Sequence, residues 1–176
     1  MRFTATRLAG LVIVDIAPLP DDRGHFARTF CAEEFAAAGL PTAFPQSNLS
    51  FNAVRGTLRG LHWQANPCPE GKLVRCTRGA ILDVAVDLRA CSPTYRAWFA
   101  AELTADNARA LYVPPGFAHG FQTLADASEV FYQMTERYRP DASRGARWND
   151  PAFDIDWPIA DPILSPRDAA YPDFVG

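Results

Sequence analysis

Breaks in regular structure come too often in this chain for long helices. Fifteen prolines and eleven glycines are scattered at short intervals through 176 residues. Proline removes a backbone donor and fixes φ, and glycine weakens regular structure, so the segments between them are short. Short apolar segments bounded by turn formers point to strands. The clearest is Ala80-Ile81-Leu82-Asp83-Val84-Ala85-Val86-Asp87-Leu88. There Leu82, Val84, Val86 and Leu88 fall on one face and Asp83, Ala85 and Asp87 on the other, the alternation of a strand. Further strands are predicted over 11–15, 72–76, 98–103, 110–113, 120–124 and 130–135. One helix is predicted over 32–38, a run of helix formers with Gly39 at the cap position. After Arg139, Pro140, Pro151, Pro158, Pro162, Pro166 and Pro172 predict irregular structure with short helical turns. Many strands, one small helix and no strand–helix alternation specify an all-β barrel or jelly roll.

A length of 176 residues suits one domain, 1–176, with a self-sufficient core. The net charge of -3 offers no basic footprint for nucleic acid. No Lys/Arg run suggests a membrane surface, and no apolar run approaches the roughly 18 residues that span a bilayer. The N-terminal residues lack the apolar stretch of an export signal, so a cytoplasmic location is expected. Cys31, Cys68, Cys76 and Cys91 show no metal-binding spacing and are expected to be reduced, partly buried thiols.

Three segments carry polar chemistry: Arg55–Gln64, Gly71–Cys76 and Val113–Phe121. Two of the three histidines, His62 and His119, sit in them, together with Arg55, Arg59, Gln64 and Lys72. Gathered at one barrel mouth, these side chains suit an anionic ligand such as a diphosphate. Pro114, Gly116 and His119 have the spacing of the second motif of cupin barrels. The first motif is altered, because the metal-binding His-x-His stands here as His62-Trp63-Gln64. An amide oxygen replaces imidazole poorly, so no metal is expected. A metal-dependent cupin using His62, His119 and Glu70 is the competing reading.

Free of metal, His62 suits the role of a general base at neutral pH, as histidine side chains commonly do. An enolate formed by that base needs positive charge beside it, which Lys72 or Arg59 supplies. Epimerisation also needs an acid on the opposite face, and Tyr132 is the candidate. Singly, each residue has a plain structural reading. A tyrosine in an apolar strand usually packs, and a lysine beside a strand is usually solvated. The case lies in their combination. His25 is given no role.

The runs Arg55–Gln64, Lys72–Arg75, Asp83–Arg89, Ser92-Pro93-Thr94, Pro114–Phe121, Trp148–Pro151 and Trp157-Pro158 together resemble the signature of dTDP-4-dehydrorhamnose 3,5-epimerases. The resemblance starts near Asp22-Arg23-Gly24 and covers almost the whole chain. It implies a double-stranded β-helix jelly roll (cupin-like) with one or a few short helices, forming a homodimer whose exchanged strands carry residues into the partner's site. It implies a cofactor-free reaction on a nucleotide-diphosphate 4-keto-6-deoxyhexose, with His62 as base, Asp168 as its partner, Tyr132 as acid and Lys72 among the catalytic groups. Substrate contacts carry over to Arg23, Phe26, Arg28, Gln46, Asn48, Arg59, Lys72, His119 and Arg167, and Tyr138 matches an aromatic near the nucleobase. Two positions depart from the family: Arg28 stands where a glutamate is usual, and Ser143 where an acidic residue is usual. Both lie on the nucleotide side, so CDP- and GDP-linked substrates stay open. So do epimerisation at carbon 3 or carbon 5 alone and a silent sugar-nucleotide binding module.

Overall fold

The alternation of residues along the strands closes two antiparallel sheets over a shared interior. The computed structural model describes residues 1–175; Gly176, the last residue of the expected domain, lies outside the described residues. One sheet has the order β1 (Arg2–Ala5), β2 (Val12–Asp15), β10 (Arg109–Val113), β7 (Lys72–Arg78), β12 (Ser128–Met134), β5 (Gln46–Asn52). The other has the order β13 (Ser143–Gly145), β6 (Leu58–Gln64), β11 (Phe117–Thr123), β8 (Ala80–Asp87), β9 (Trp98–Thr104). A separate hairpin, β3 (Leu19–Asp21) with β4 (Gly24–Phe26), is exposed along its whole length. This is the expected jelly roll. The short helices among the described residues are α1 (Ala32–Ala37) and α2 (Pro166–Ala169).

Period-two burial divides the apolar residues among three clusters. Val74, Cys76, Ile81, Ala85, Leu103, Leu111, Val113, Phe121 and Val130 meet between the sheets. On the outer face of the six-stranded sheet, Val14, Leu73, Ala110 and Tyr112 are covered by Phe35 of α1. On the outer face of the five-stranded sheet, Leu58, Val84, Val86 and Ala118 are covered by Phe153 and Trp157 of the proline-rich C-terminal stretch. That stretch is irregular, as expected, and serves as a lid over apolar strands.

β8 therefore has both faces covered. Its Asp83 and Asp87 point away from the Val84/Val86 face and are both fully buried. Asp87 is a knot for the turn that follows. It accepts hydrogen bonds from the guanidinium of Arg89 at 2.8 and 2.7 Å, from Ser92 Oγ at 2.6 Å and from Thr94 Oγ1 at 2.8 Å. Burial alone would raise this carboxyl, but those donors outweigh it and lower its pKa from 3.8 to about 2.

One ladder is irregular. Between β11 and β6, His119 pairs with His62 but Phe121 pairs with Arg59, so β6 holds an extra residue. Such a bulge turns the side chains that follow it. Here it brings both Arg59 and His62 to one cleft, although three positions separate them and strict alternation would oppose them. The strands touch backbone to backbone at this point: a Cβ on Gly60 would lie 2.6 Å from Gly120 Cα, and one on Gly120 would lie 2.9 Å from the Arg59 carbonyl oxygen.

The Asp87 knot predicts a defined acid dependence. A depressed pKa in the folded state contributes stability above the unfolded value, near 3.8, and that stability is lost as pH falls toward 2. The contribution is about 2 kcal/mol. Asp87→Asn should lower the denaturation midpoint at neutral pH and flatten the stability curve between pH 4 and pH 2, as chemical denaturation across pH will show.

Candidate active site

A cleft of about 520 Å³ opens between the two sheets. The five-stranded sheet supplies Arg59, His62, His119 and Phe121. The six-stranded sheet supplies Gln46, Asn48, Lys72, Tyr132 and Met134. Tyr138, Ser143, Arg167 and Asp168 complete the wall, and Glu70 lies beside Lys72.

His62 and Asp168 are far apart in sequence yet meet at 2.6 Å, Nε2 to Oδ1. The C-terminal stretch makes this contact possible. Ile163 bridges Thr57, and Leu58 N donates to Ile163 O at 2.9 Å, which fixes the chain against β6. Ser165 then caps α2 by accepting from Asp168 N at 3.1 Å. Tyr171 lies flat against Gly145 and edge-on to the His62 ring. Burial by itself would raise the Asp168 carboxyl, but the His62 hydrogen bond and charge, together with Ser165 and Arg167, hold it below the ordinary carboxylate value. An ionised carboxylate only accepts, so in the neutral imidazole Nε2 carries the proton and Nδ1 the lone pair.

The other polar groups form a second set of pairs. His119 Nε2 lies 2.8 Å from Oδ1 of buried Asp83. Lys72 Nζ lies 2.6 Å from Glu70 Oε1, with both side chains buried. Arg59 Nε donates to the Asn52 amide oxygen at 2.7 Å. Tyr132, on β12, faces the cleft from the wall opposite His62. Burial pushes its phenol above the ordinary value, Glu70 adds to the shift and Arg59 opposes it. Gln46 and Asn48 project inward from β5, and the Gln46 amide oxygen accepts from Tyr138 N at 2.9 Å. Tyr138 sits at the rim, where hydrogen bonds with Arg167 and Ser143 hold its phenol below the usual value. Ser143 Oγ also accepts from Arg167 Nη2 at 2.9 Å.

His62, Lys72, Tyr132, Asp168, Gln46, Asn48, Arg59, His119, Tyr138 and Arg167 thus line one cleft. Three expected contacts do not join them. Arg23 is 90% exposed and paired with Asp21, Phe26 is 69% exposed on the free hairpin, and Arg28 is paired with Glu34. None of the three lines the cleft of its own chain. Asp83, Ser165 and Tyr171 carry structural duties that residue type alone did not reveal. For Asp83 a signal existed: it is an acid on the Ala85 side of an otherwise apolar strand, and buried strands carry acids only where partners wait.

Gln64 is engaged by the backbone. Its amide nitrogen donates to Cys68 O and Arg137 O, and its oxygen accepts from Arg139 N. Among the described residues no three His, Cys, Asp or Glu side chains converge as metal ligands do.

The family model of dTDP-4-dehydrorhamnose 3,5-epimerase matches residues 5–175. This chain belongs to that family. It is thereby an isomerase of the epimerase class. A dTDP-4-dehydrorhamnose 3,5-epimerase from Methanothermobacter thermautotrophicus is 46% identical over 95% of this chain and 91% of its own. The crystal structure of the Bacillus anthracis enzyme with TDP and PPi bound superposes with a TM-score of 0.96 at 40% identity, covering 98% of this chain and 99% of that one. The Legionella pneumophila enzyme in complex with dTDP-4-keto-L-rhamnose superposes with a TM-score of 0.92 at 36% identity, over 98% and 92% of the two chains.

The Gly60–Gly120 contact predicts that Gly60→Ala separates β6 from β11. The added methyl meets backbone on a strand with φ of +134°, so no side chain can yield to relieve it. The expected cost is about 2 kcal/mol or more, read as a melting temperature lowered by roughly 4–8 °C, with turnover lost through displacement of Arg59 and His62.

Proposed function

We propose that this epimerase inverts the two ring carbons flanking the ketone of a dTDP-linked 4-keto-6-deoxyhexose. The single observation that carries the reading is that a carboxylate-paired histidine and a protonated tyrosine stand on opposite walls of one cleft. The 4-keto group acidifies the neighbouring C–H bonds. His62 Nδ1 takes the proton while the C–H electron pair forms the enolate, and negative charge gathers on the former ketone oxygen. Lys72 donates to that oxygen, and Asp168 stabilises the imidazolium. Tyr132 delivers its hydroxyl proton to the carbon from the other side, leaving a phenolate that solvent and the imidazolium restore. Repetition at the second carbon completes the double inversion.

Arg59, whose only side-chain partner among the described residues is a neutral amide, suits the diphosphate. Tyr138 at the rim suits stacking on the base. The exposed hairpin and β5 fit a homodimer. β5 is an edge strand that turns polar Gln46, Asn48 and Ser50 inward and leaves Leu49 and Phe51 60% and 52% exposed. A second copy covering that face would hide them, and Arg23, Phe26 and Arg28 on and beside the projecting hairpin would then act in the partner's cleft. No helix among the described residues is long and apolar enough to cross a membrane, and the four cysteines are free. Both fit the cytoplasmic location that belongs to the same proposal.

Solvent deuterium exchange into dTDP-, CDP- and GDP-linked 4-keto-6-deoxyglucose tests the reading. Wild type should exchange both ring hydrogens flanking the ketone, fastest with the dTDP substrate. His62→Ala should abolish exchange. Asp168→Asn should slow it roughly a hundredfold or more. Tyr132→Phe should impair inversion more than exchange, because proton removal survives loss of the acid. Absence of exchange with every substrate would sink the proposal.

A further inference from the structure

The Lys72 ammonium has three hydrogens to place. One goes to Glu70 Oε1 at 2.6 Å. A second points to the main-chain oxygen of His62 at 3.5 Å. Both acceptors are fixed by the chain. Gly71 N donates to Thr135 Oγ1 at 2.7 Å, and Thr135 N donates to Gly71 O at 2.9 Å. A Cβ on Gly71 would lie 3.0 Å from the Tyr112 hydroxyl and 3.2 Å from Pro115 Cδ, so the backbone beside Glu70 is clamped between neighbouring elements. Glu70 Oε2 is buried and has no partner among the described residues. An unsatisfied buried oxygen costs about 1–3 kcal/mol, and a buried ion pair is a weak source of stability. Folding alone therefore gives little reason for this carboxylate.

We infer that Glu70 is a positioning residue: it holds the Lys72 ammonium beside His62 so that the remaining N–H faces the ketone oxygen of the sugar. The inference rests on the reading of Lys72 as the donor to the enolate. A lysine on a flexible four-carbon stem, released from that anchor, would sample directions that miss the oxygen, and orientation is a large part of what a site contributes to rate. The same carboxylate reaches Tyr132. After burial, its negative charge is the next influence raising that phenol, against Arg59. His62, Lys72, His119 and Asp168 line the same cleft, and Tyr138 at the rim also senses Glu70. His62 and His119 keep their own carboxylate partners, Asp168 and Asp83, when Glu70 alone is replaced.

The test compares kcat and KM of wild type, E70A, E70Q, K72A and E70A/K72A on the dTDP-linked 4-keto sugar. E70A should lose roughly tenfold or more in kcat, with KM unchanged within about twofold. E70Q keeps the shape and an oxygen acceptor, so it should recover most of that kcat. It lacks the charge, so the alkaline limb of its pH profile should move to lower pH. In the K72A background, E70A should cost nothing further, because it acts through a lysine already absent. An equal kcat loss in both backgrounds, a change confined to KM, or an E70Q alkaline limb that stays in place overturns the positioning role. A K72A variant that turns over at the wild-type rate overturns instead the reading of Lys72.

Discussion

The contact on which the site depends is the approach of β6 to β11 at Gly60 and Gly120. No side chain separates the strands there, and β6 passes with one residue more than its partner. A regular ladder would send Arg59 and His62 to opposite faces. The extra residue puts the cation and the imidazole on one wall, and the unbroken remainder of β11 brings His119 beside them. Bulges near active sites commonly re-aim side chains in this way. The C-terminal stretch completes what the bulge begins. Its apolar residues cover the outer face of the same sheet, and its last turn returns over β6 to deliver Asp168. Covering a hydrophobic face and supplying the partner of His62 are one structural act, so substitutions in the lid, at Phe153 or Trp157, reach the site without touching it.

Charge in the cleft is arranged by pairing. His62 meets Asp168, His119 meets Asp83, and Lys72 meets Glu70, each at 2.6 to 2.8 Å. Buried charges need such partners because desolvation otherwise outweighs any attraction. Arg59 and Arg167 differ: among the described residues neither forms a salt bridge, and their guanidiniums meet only neutral side chains. Positive potential without compensation therefore collects where these two arginines stand. Under the proposed function, the paired groups do the proton and hydrogen-bond work and the unpaired ones attract the anion. A diphosphate-linked sugar carries both requirements in one molecule.

Much of this was legible in the sequence. The alternation at Ala80–Leu88 specified β8, which ends one residue earlier at Asp87, and the helix formers before Gly39 specified α1, whose end at Ala37 is followed by Gly39 at φ +70°. Strand ends differ by a few residues, as for β11, which begins at Phe117, three positions before the predicted 120. β5 escaped prediction because its pattern is inverted, with polar residues inward around a wet cleft and apolar ones outward. β3, β4 and β13 are three residues each and too short for any period to declare itself. The site residues emerged from motifs, and Asp168 came with His62 from the resemblance, but the partners of Lys72 and His119 did not. Glu70 and Asp83 are ordinary acids until folding sets them against Lys72 and His119. Arg23, Phe26 and Arg28 show the converse limit, since the resemblance names residues without saying where the fold places them, and none of the three lines the cleft of its own chain.

The altered first motif is tied into the wall of the cleft by its last residue. In His62-Trp63-Gln64, the position that would hold a second imidazole holds an amide with both ends committed to backbone at 68, 137 and 139. An imidazole there could not replace these bonds, because it cannot donate twice and accept once in the same plane. The amide thereby anchors the segment that carries Tyr138 to the rim, beside Arg167 and Ser143. At Gln64 the side chain that stands in the place of a cupin imidazole is the one that ties the backbone at 68, 137 and 139 together. His62 is left with a carboxylate on one nitrogen and a lone pair on the other, the arrangement a proton-abstracting base requires.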